Sequence, residues 1–458
     1  MSDTLMISVS GMRGHVGTDL TPELVARHAA ALGAWVRSSA TGGGRPTVVL
    51  GRDARTSGPM FSHAAAAGLM SVGVDVLDLG VVPTPTVQLA VEHHHAGAGL
   101  ILTASHNPIE WNALKFVGPD GIFLDAAAGE QVRAQAERGP DRAGWDGIGE
   151  LREDPQAVAR HLEAILRLPV IDVAAIRRRR FHVALDCVRG AGAVAIPPLL
   201  ERLGCRVSGI NLEPDGRFPR PPEPVPENLG ELGRLVRDSG ADLGLAVDPD
   251  VDRLAVVDEN GRPIGEDYTL AFAVRSVLDR RSKSANDPVV VVNLSTSLVV
   301  EDAARALGAS VERAPVGEAN VARTIQERGA VIGGEGNGGV MYPALHIGRD
   351  APLGVALILH LLATSGVTIA GLVESSPRYT IVKAKGPRSP HLGPLYDRLR
   401  RRFADAAADD RDGLRLSWAD RWLHIRPSGT EPIVRLIAEA PTPSEAEALV
   451  AAGRELLQ

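Results

Sequence analysis

The stretch Asp248-Pro249-Asp250-Val251-Asp252-Arg253 places three carboxylates at alternate positions directly after the apolar run Leu243 to Val247. In an extended or looped backbone such acids can converge on one hard cation, and oxygen-only ligation suits Mg²⁺. An EF-hand is the natural competitor, because Glu259 stands twelfth counting from Asp248. It fails because Arg253 takes the place of the required glycine and the flanking runs read as strands. Three protein carboxylates leave room in the coordination shell for a phosphate oxygen. A second segment, Thr103-Ala104-Ser105-His106-Asn107-Pro108, presents a hydroxyl in a turn that Asn-Pro terminates, which makes Ser105 a candidate nucleophile or phosphoryl carrier. It does not read as a hydrolase triad, since adjacent Ser and His side chains do not meet in the required geometry and no Gly-x-Ser-x-Gly elbow is present. Lys115 lies ten residues on and could act as an acid/base if neighbouring cations lowered its pKa. Arg426-Pro427-Ser428-Gly429-Thr430-Glu431-Pro432 combines a guanidinium fork, two hydroxyls and a glycine amide, a phosphate clamp without a Walker lysine. Gly333-Gly334-Glu335-Gly336-Asn337-Gly338-Gly339 offers one acid and one amide on an open backbone, a pair suited to sugar hydroxyls. The run His93-His94-His95 lacks metal-ligand spacing and acidic company, and reads as a helix terminus.

The elements that position these loops recur three times. A Val-rich strand, a turn, a helix and Gly-x-x-Val before a second strand run from Thr47 to Val76, from His182 to Val207 and from Val289 to Val311. Such apolar runs alternating with helices indicate β-α-β units. Farther along each repeat a glycine and a short apolar strand open into a loop: Gly97 leads to Thr103–His106, Gly240 to Asp248–Asp252, and Gly329 to Gly334–Asn337. Ligands bind at the carboxyl ends of strands in α/β sheets, so three related domains would present three chemically different loops to one cleft. After about residue 376 the pattern changes to a basic helix around Arg398 to Arg402 and a strand-loop-strand from Arg421 to Leu436, a smaller α+β domain. The expected division is 1–150, 151–265, 266–375 and 376–458, with the Pro-dense run Pro219 to Pro226 a rigid connection inside the second domain.

Composition narrows the class of function. With 458 residues and a net charge of −7, the chain does not read as a generic binder of nucleic acid or anionic membrane. Hydrophobic residues at 44% exclude a disordered scaffold, and aromatics at 3% argue against base-stacking surfaces and predict an aliphatic core. Two cysteines, Cys187 and Cys205, do not resemble a disulfide framework, and neither export signal nor membrane span is expected. The expected location is cytoplasmic.

Taken in order, these loops resemble the α-D-phosphohexomutase superfamily, which includes phosphoglucomutase, phosphomannomutase and phosphoglucosamine mutase. The resemblance covers nearly the whole chain and adds Ser10-Gly11-Met12-Arg13-Gly14 near the start. It implies three similar α/β domains with mixed sheets and a smaller C-terminal α+β domain, heart-shaped around a central cleft. It also implies that Ser105 is phosphorylated in the active form and that Mg²⁺ is held by that phosphate with Asp248, Asp250 and Asp252. Arg13, His106, Lys115 and Arg253 would serve the moving phosphoryl group. Arg426, Ser428, Gly429, Thr430 and Arg435 would hold the nonreacting phosphate, and Glu335 with Asn337 the sugar hydroxyls. The implied reaction interconverts hexose 6-phosphate and hexose 1-phosphate through a sugar 1,6-bisphosphate, in a monomer or homodimer whose partner is a small phosphosugar. Many relatives carry Ser at the place of Asn337 and His at that of Gly339, so a proton-transfer histidine is missing, and His346 is a candidate substitute that His346→Ala tests by keeping or losing turnover. Ala113 also replaces a glycine usual before Leu114-Lys115. This variant of the sugar loop favours glucosamine phosphate. The alternatives are mannose or glucose phosphates with the same chemistry, a Mg²⁺-dependent phosphatase using an Asp of the metal loop, and a noncatalytic sugar-phosphate sensor.

Overall fold

The computed structural model describes residues 5–8, 11–40, 44–280, 287–387, 392–428 and 433–457. Ser10 and the clamp residues Gly429, Thr430, Glu431 and Pro432 lie outside the described residues.

The three repeats fold alike. In the first, strand Thr47–Arg52 pairs in parallel with Asp75–Val81 and Ala98–Leu102, and Ala98–Leu102 pairs antiparallel with Trp111–Val117. The second repeats this with His182–Asp186 between Arg206–Ile210 and Leu243–Val247, the latter antiparallel to Leu254–Val257. The third places Val289–Asn293 between Ser310–Ala314 and Ile332–Glu335, with Gly339–Met341 antiparallel at the edge. The first sheet is enlarged to seven strands by Met6–Ser8 and Gly11–His15 at one side and Leu151–Glu153 at the other. The repeated Gly-x-x-Val has a conformational cause: Gly73, Gly204 and Gly308 turn helix into strand at φ of 76°, 73° and 76°, a left-handed region that side chains disfavour. Strands such as Leu243–Val247 are buried throughout and apolar on both faces, as sheets covered by helices on both sides require.

Each chemistry-bearing loop joins the last parallel strand of its repeat to the antiparallel strand beside it, so the three occupy equivalent places. The fourth unit is an antiparallel sheet of five strands, in which Trp422–Pro427 pairs with Ile433–Ala440. The apolar stretch near Pro352 to Val367 forms helix Ala351–Ser365, packed into an aliphatic core shared by the second and third units. Among the described residues no helix is long and apolar enough to cross a membrane.

Candidate active site

Ser105 sits on a strained turn, at φ 48°, immediately past strand Ala98–Leu102. Its amide donates to Thr103 Oγ1 at 2.9 Å, and Thr103 Oγ1 donates to Asp53 Oδ2 at 2.6 Å. Beneath the turn lies Arg55, wholly buried, whose guanidinium donates to the carbonyls of Ser105, Asn107 and Pro108 at 2.6 Å each and of Trp111 at 2.9 Å. Its Nε stands 3.1 Å from Asp53 Oδ2. Burial raises the Asp53 pKa, and Arg55 opposes the shift. A buried cation that satisfies four carbonyls and a carboxylate at once fixes the serine turn, because moving the turn would strand the charge.

The three carboxylates converge. Val251 adopts φ 63°, unusual for a β-branched residue, and its left-handed kink turns the chain so that ligand oxygens of Asp248, Asp250 and Asp252 lie within 4.8 Å of one another, all three buried. Ser105 Oγ donates to Asp248 Oδ2 at 2.9 Å, joining the first unit to the second. Lys115 Nζ reaches Asp250 Oδ2 at 2.7 Å, and Thr84 donates its hydroxyl to the same oxygen at 2.9 Å and its amide to the Asp250 carbonyl at 2.8 Å. Burial, with Asp252 and Asp250 nearby, pushes Asp248 well above the usual carboxylate range. Burial opposes charge on Asp250 too, yet Lys115 holds that carboxyl low. Asp250 Oδ1 and Asp252 Oδ1 are buried without a hydrogen-bond partner. Each orphan acceptor costs on the order of 1–3 kcal/mol, and a hard divalent cation is the group that would satisfy both. The donor set therefore fits a metal ion.

Cations line the other side of Ser105. Arg13 Nη1 donates to Asn107 Oδ1 at 2.6 Å, and burial lowers its pKa. Arg253 places its amide 3.2 Å from Asp248 Oδ1 and its guanidinium between Glu223, at 3.4 Å, and Asp252, at 3.6 Å. His106 Nδ1 is 3.3 Å from Ser105 Oγ; burial, with Arg253 and Arg13 close by, holds its imidazole well below its ordinary pKa and so neutral at pH 7. This arrangement can bind a dianion over the serine and pass a proton at it.

Glu335, at the end of strand Ile332–Glu335, accepts from Asn293 Nδ2 at 2.8 Å, the Gly317 amide at 3.1 Å and Arg349 Nη1 at 2.7 Å. Burial opposes its ionisation, and Arg349 with Asn293 overcomes this. Asn337 Oδ1 accepts from the Gly339 amide at 3.1 Å, and the Gly338 carbonyl accepts from the Leu254 amide at 3.1 Å, which ties the Glu335–Gly339 loop to the strand that follows the three aspartates. In the fourth unit Arg426 and Arg435 are direct cross-strand partners. Like charges facing each other in a sheet repel, and an anion between them would relieve the repulsion. Arg426 Nε donates instead to Asp412 Oδ2 at 2.7 Å, while Arg435 Nε donates to Ser428 Oγ at 3.4 Å. His346 does not join the cluster around Ser105. Its Nε2 bonds Asp350 Oδ2 at 2.9 Å, and His161 Nε2 reaches the same oxygen at 2.8 Å in a separate buried group.

Arg55, Thr84, Asn293, Glu318 and Arg349 carry no motif and were not read as functional from the sequence. Arg349 in particular contacts Asp252 at 2.5 Å, Glu335 at 2.7 Å and Glu318 at 3.1 Å. A buried arginine leaves no local sequence signal, because its partners come from distant segments.

Four family domains match along the chain: phosphoglucomutase/phosphomannomutase alpha/beta/alpha domain I over residues 5–143, domain II over 159–261, domain III over 265–379 and the C-terminal domain over 395–456. A phosphoglucomutase/phosphomannomutase of Thermococcus kodakarensis is 38% identical over 98% of this chain and 97% of its own. A probable phosphoglucosamine mutase of Methanopyrus kandleri is 38% identical over 96% of this chain and 95% of its own. Among solved structures, a phosphoglucomutase/phosphomannomutase family protein from Burkholderia thailandensis superposes with a TM-score of 0.83 at 26% identity, covering 99% of this chain and 98% of that one. Three mixed sheets of one topology, an appended antiparallel domain and this end-to-end likeness agree, and the chain belongs to the phosphoglucomutase/phosphomannomutase family, whose members are phosphohexomutases and thus isomerases.

Proposed function

We propose that the chain interconverts hexose 6-phosphate and hexose 1-phosphate by way of a phosphoserine at Ser105, with glucosamine phosphate the favoured substrate. The observation that carries the reading is the 2.9 Å contact of Ser105 Oγ with Asp248 of the buried carboxylate triad, with Arg13 bound to Asn107 of the same turn, Lys115 to Asp250 and the Arg253 amide to Asp248. In the first half-reaction the serine O–P bond breaks as a bond forms from phosphorus to a free sugar hydroxyl, whose proton passes to a nearby base. His106, held neutral, is placed to take up that proton with Lys115 assisting beside Asp250, and Arg13 and Arg253 to offset charge on the moving group. The resulting sugar 1,6-bisphosphate turns around, and its other phosphate returns to Ser105. Asp248, Asp250 and Asp252 would hold Mg²⁺, which when bound neutralises charge on the transferring phosphoryl group. Glu335 and Asn337 would orient sugar hydroxyls, and Arg426, Ser428, Gly429, Thr430 and Arg435 the nonreacting phosphate. The four functional units divide near residues 150, 265 and 376 in this reading, and the enzyme works in the cytoplasm as a monomer or homodimer.

The glucosamine preference draws support from relatives described as probable phosphoglucosamine mutases, while one 38% identical relative is described as a phosphoglucomutase/phosphomannomutase. A parallel turnover assay tests both parts. Glucosamine, glucose and mannose phosphates are offered to the wild type and to Ser105→Ala with Mg²⁺ and a catalytic amount of sugar bisphosphate. Wild-type isomerisation fastest on glucosamine phosphate, with Ser105→Ala inactive, is the expected result. Faster turnover of glucose or mannose phosphate would reassign the substrate. Phosphate release that is indifferent to Ser105→Ala would replace the mutase with a phosphatase.

A further inference from the structure

Gly339 poses a question that its backbone does not answer. It is absent from the residues with positive φ, so no conformational need requires glycine there. The reason is a neighbour: a Cβ at residue 339 would lie 2.3 Å from Cδ and 2.8 Å from Cγ of Arg349, far inside contact distance. The arginine stem thus runs across the bare backbone of the sugar loop to reach its partners.

Arg349 cannot easily give way. The adjoining residue, Asp350, caps helix Ala351–Ser365 by accepting from the Leu353 amide at 2.8 Å, donates its own amide to the Val340 carbonyl at 2.9 Å and is gripped by His161 and His346. The Arg349 amide donates to Glu318 Oε1 at 3.2 Å. From this fixed base the guanidinium sends Nη2 to Asp252 Oδ2 at 2.5 Å and Nη1 to Glu335 Oε2 at 2.7 Å. One rigid fork therefore sets both a carboxylate of the three-aspartate loop and Glu335, in a buried site where the other cation near Asp252, Arg253, stands off at 3.6 Å.

We infer that Arg349 is a positioning residue that couples the affinity for the divalent cation to the affinity for the sugar, and that Gly339 is glycine in order to admit it. This deepens the mutase reading and rests on it for the identity of the sugar. The coupling of residues 339, 349 and 252 is independent of the reaction.

The test is a double-mutant cycle on the full chain, read by calorimetric titration of Mg²⁺ alone and by KM and kcat for hexose phosphate. Gly339→Ala changes no charge and touches no metal ligand, yet it should weaken Mg²⁺ binding by about tenfold, the scale seen when the partner of a metal ligand is disturbed. It should raise KM by a similar factor. Arg349→Lys, which keeps the charge and loses the fork, should do the same. On an Arg349→Ala background, Gly339→Ala should change Mg²⁺ affinity by less than about twofold, because the obstructing stem is gone. Equal effects of Gly339→Ala in both backgrounds, or Mg²⁺ binding unaltered by Gly339→Ala and Arg349→Lys, would overturn the inference. If Arg349→Ala does not fold, the two single variants decide by the same readouts. A wild type that binds Mg²⁺ with this coupling but isomerises no hexose phosphate would sink the proposed function and leave the inference standing.

Discussion

Around Ser105 the polar groups are buried and multiply tied: Arg55 holds the turn through four carbonyls, and Thr84, Lys115 and Arg349 reach the triad from other segments. Around Arg426 the construction is looser. Among the described residues that guanidinium has one carboxylate partner, Asp412, itself at the tip of a hairpin and also accepting from the Val316 amide of the third unit at 3.1 Å. The contrast teaches how firmly each region holds its charges. A buried ionic network resists displacement, since any broken pair leaves an uncompensated charge at low dielectric, and suits a centre where atoms must stay aligned. The Arg426–Asp412 pair keeps 15% and 16% of its side chains exposed where the three aspartates keep none, so water offsets part of the cost of exchanging partners, which in the proposed mutase reading would suit a phosphate clamp.

Four measurements would break or sharpen this contrast. Asp250→Asn keeps the shape of the metal loop but strips a charge from the cation site, and kcat should fall on the order of 10³-fold, with chelation of the wild type producing a comparable loss that added Mg²⁺ reverses. Retained turnover would remove the triad from the chemistry. Arg55→Met should lower unfolding stability by about 3 kcal/mol in denaturant titrations and abolish turnover together, because the Asp53 charge is left buried and four carbonyls lose their donor. Loss of activity at unchanged stability would show that the turn does not depend on that support. Arg426→Ala should act almost wholly on KM, raising it by roughly 10- to 100-fold as one charge-assisted contact is lost, with kcat little changed. A kcat effect as large as that of Asp250→Asn would erase the distinction between the two regions.

The smallest effect concerns the junction of the third and fourth units. His424 is buried, with Nδ1 at 2.8 Å from Ser295 Oγ and Nε2 at 2.7 Å from the Asp412 carbonyl, and burial lowers its pKa to about 4. Its folded-state pKa lies below the unfolded value of about 6.5, so between these limits the unfolded chain binds more protons. The resulting contribution to stability is present above pH 6.5 and is lost as pH falls toward 4. His424→Gln should flatten the dependence of the thermal midpoint across that window. An unchanged slope would mean that the imidazole does not report on the junction.

Much of the architecture was legible along the chain. The turn glycines Gly73, Gly204 and Gly308 repeat in sequence because each must adopt the same backbone conformation, and this local rule exposed the threefold repeat. The segments at Ser105, Asp248–Asp252, Glu335–Asn337 and Arg426–Ser428 stood out for the same reason: each gathers its polar residues into a few adjacent positions. His346, the candidate substitute for a histidine at position 339, has its ring engaged by Asp350 in the core. Arg349, three residues later, reaches the sugar loop instead.

Sequence alone thus determined the repeated α/β units, the smaller fourth unit and the residue types of each loop, since these follow from short-range periodicity, turn conformation and contiguous motifs. Only the tertiary structure decided that Arg55 supports the serine turn, that Thr84 and Lys115 meet Asp250, and that Arg349 runs over Gly339 to join Asp252 with Glu335. A buried charge is placed by where its counter-charges converge, and that convergence comes from chain segments as far apart as residues 252 and 349, with no trace in the residues that flank it.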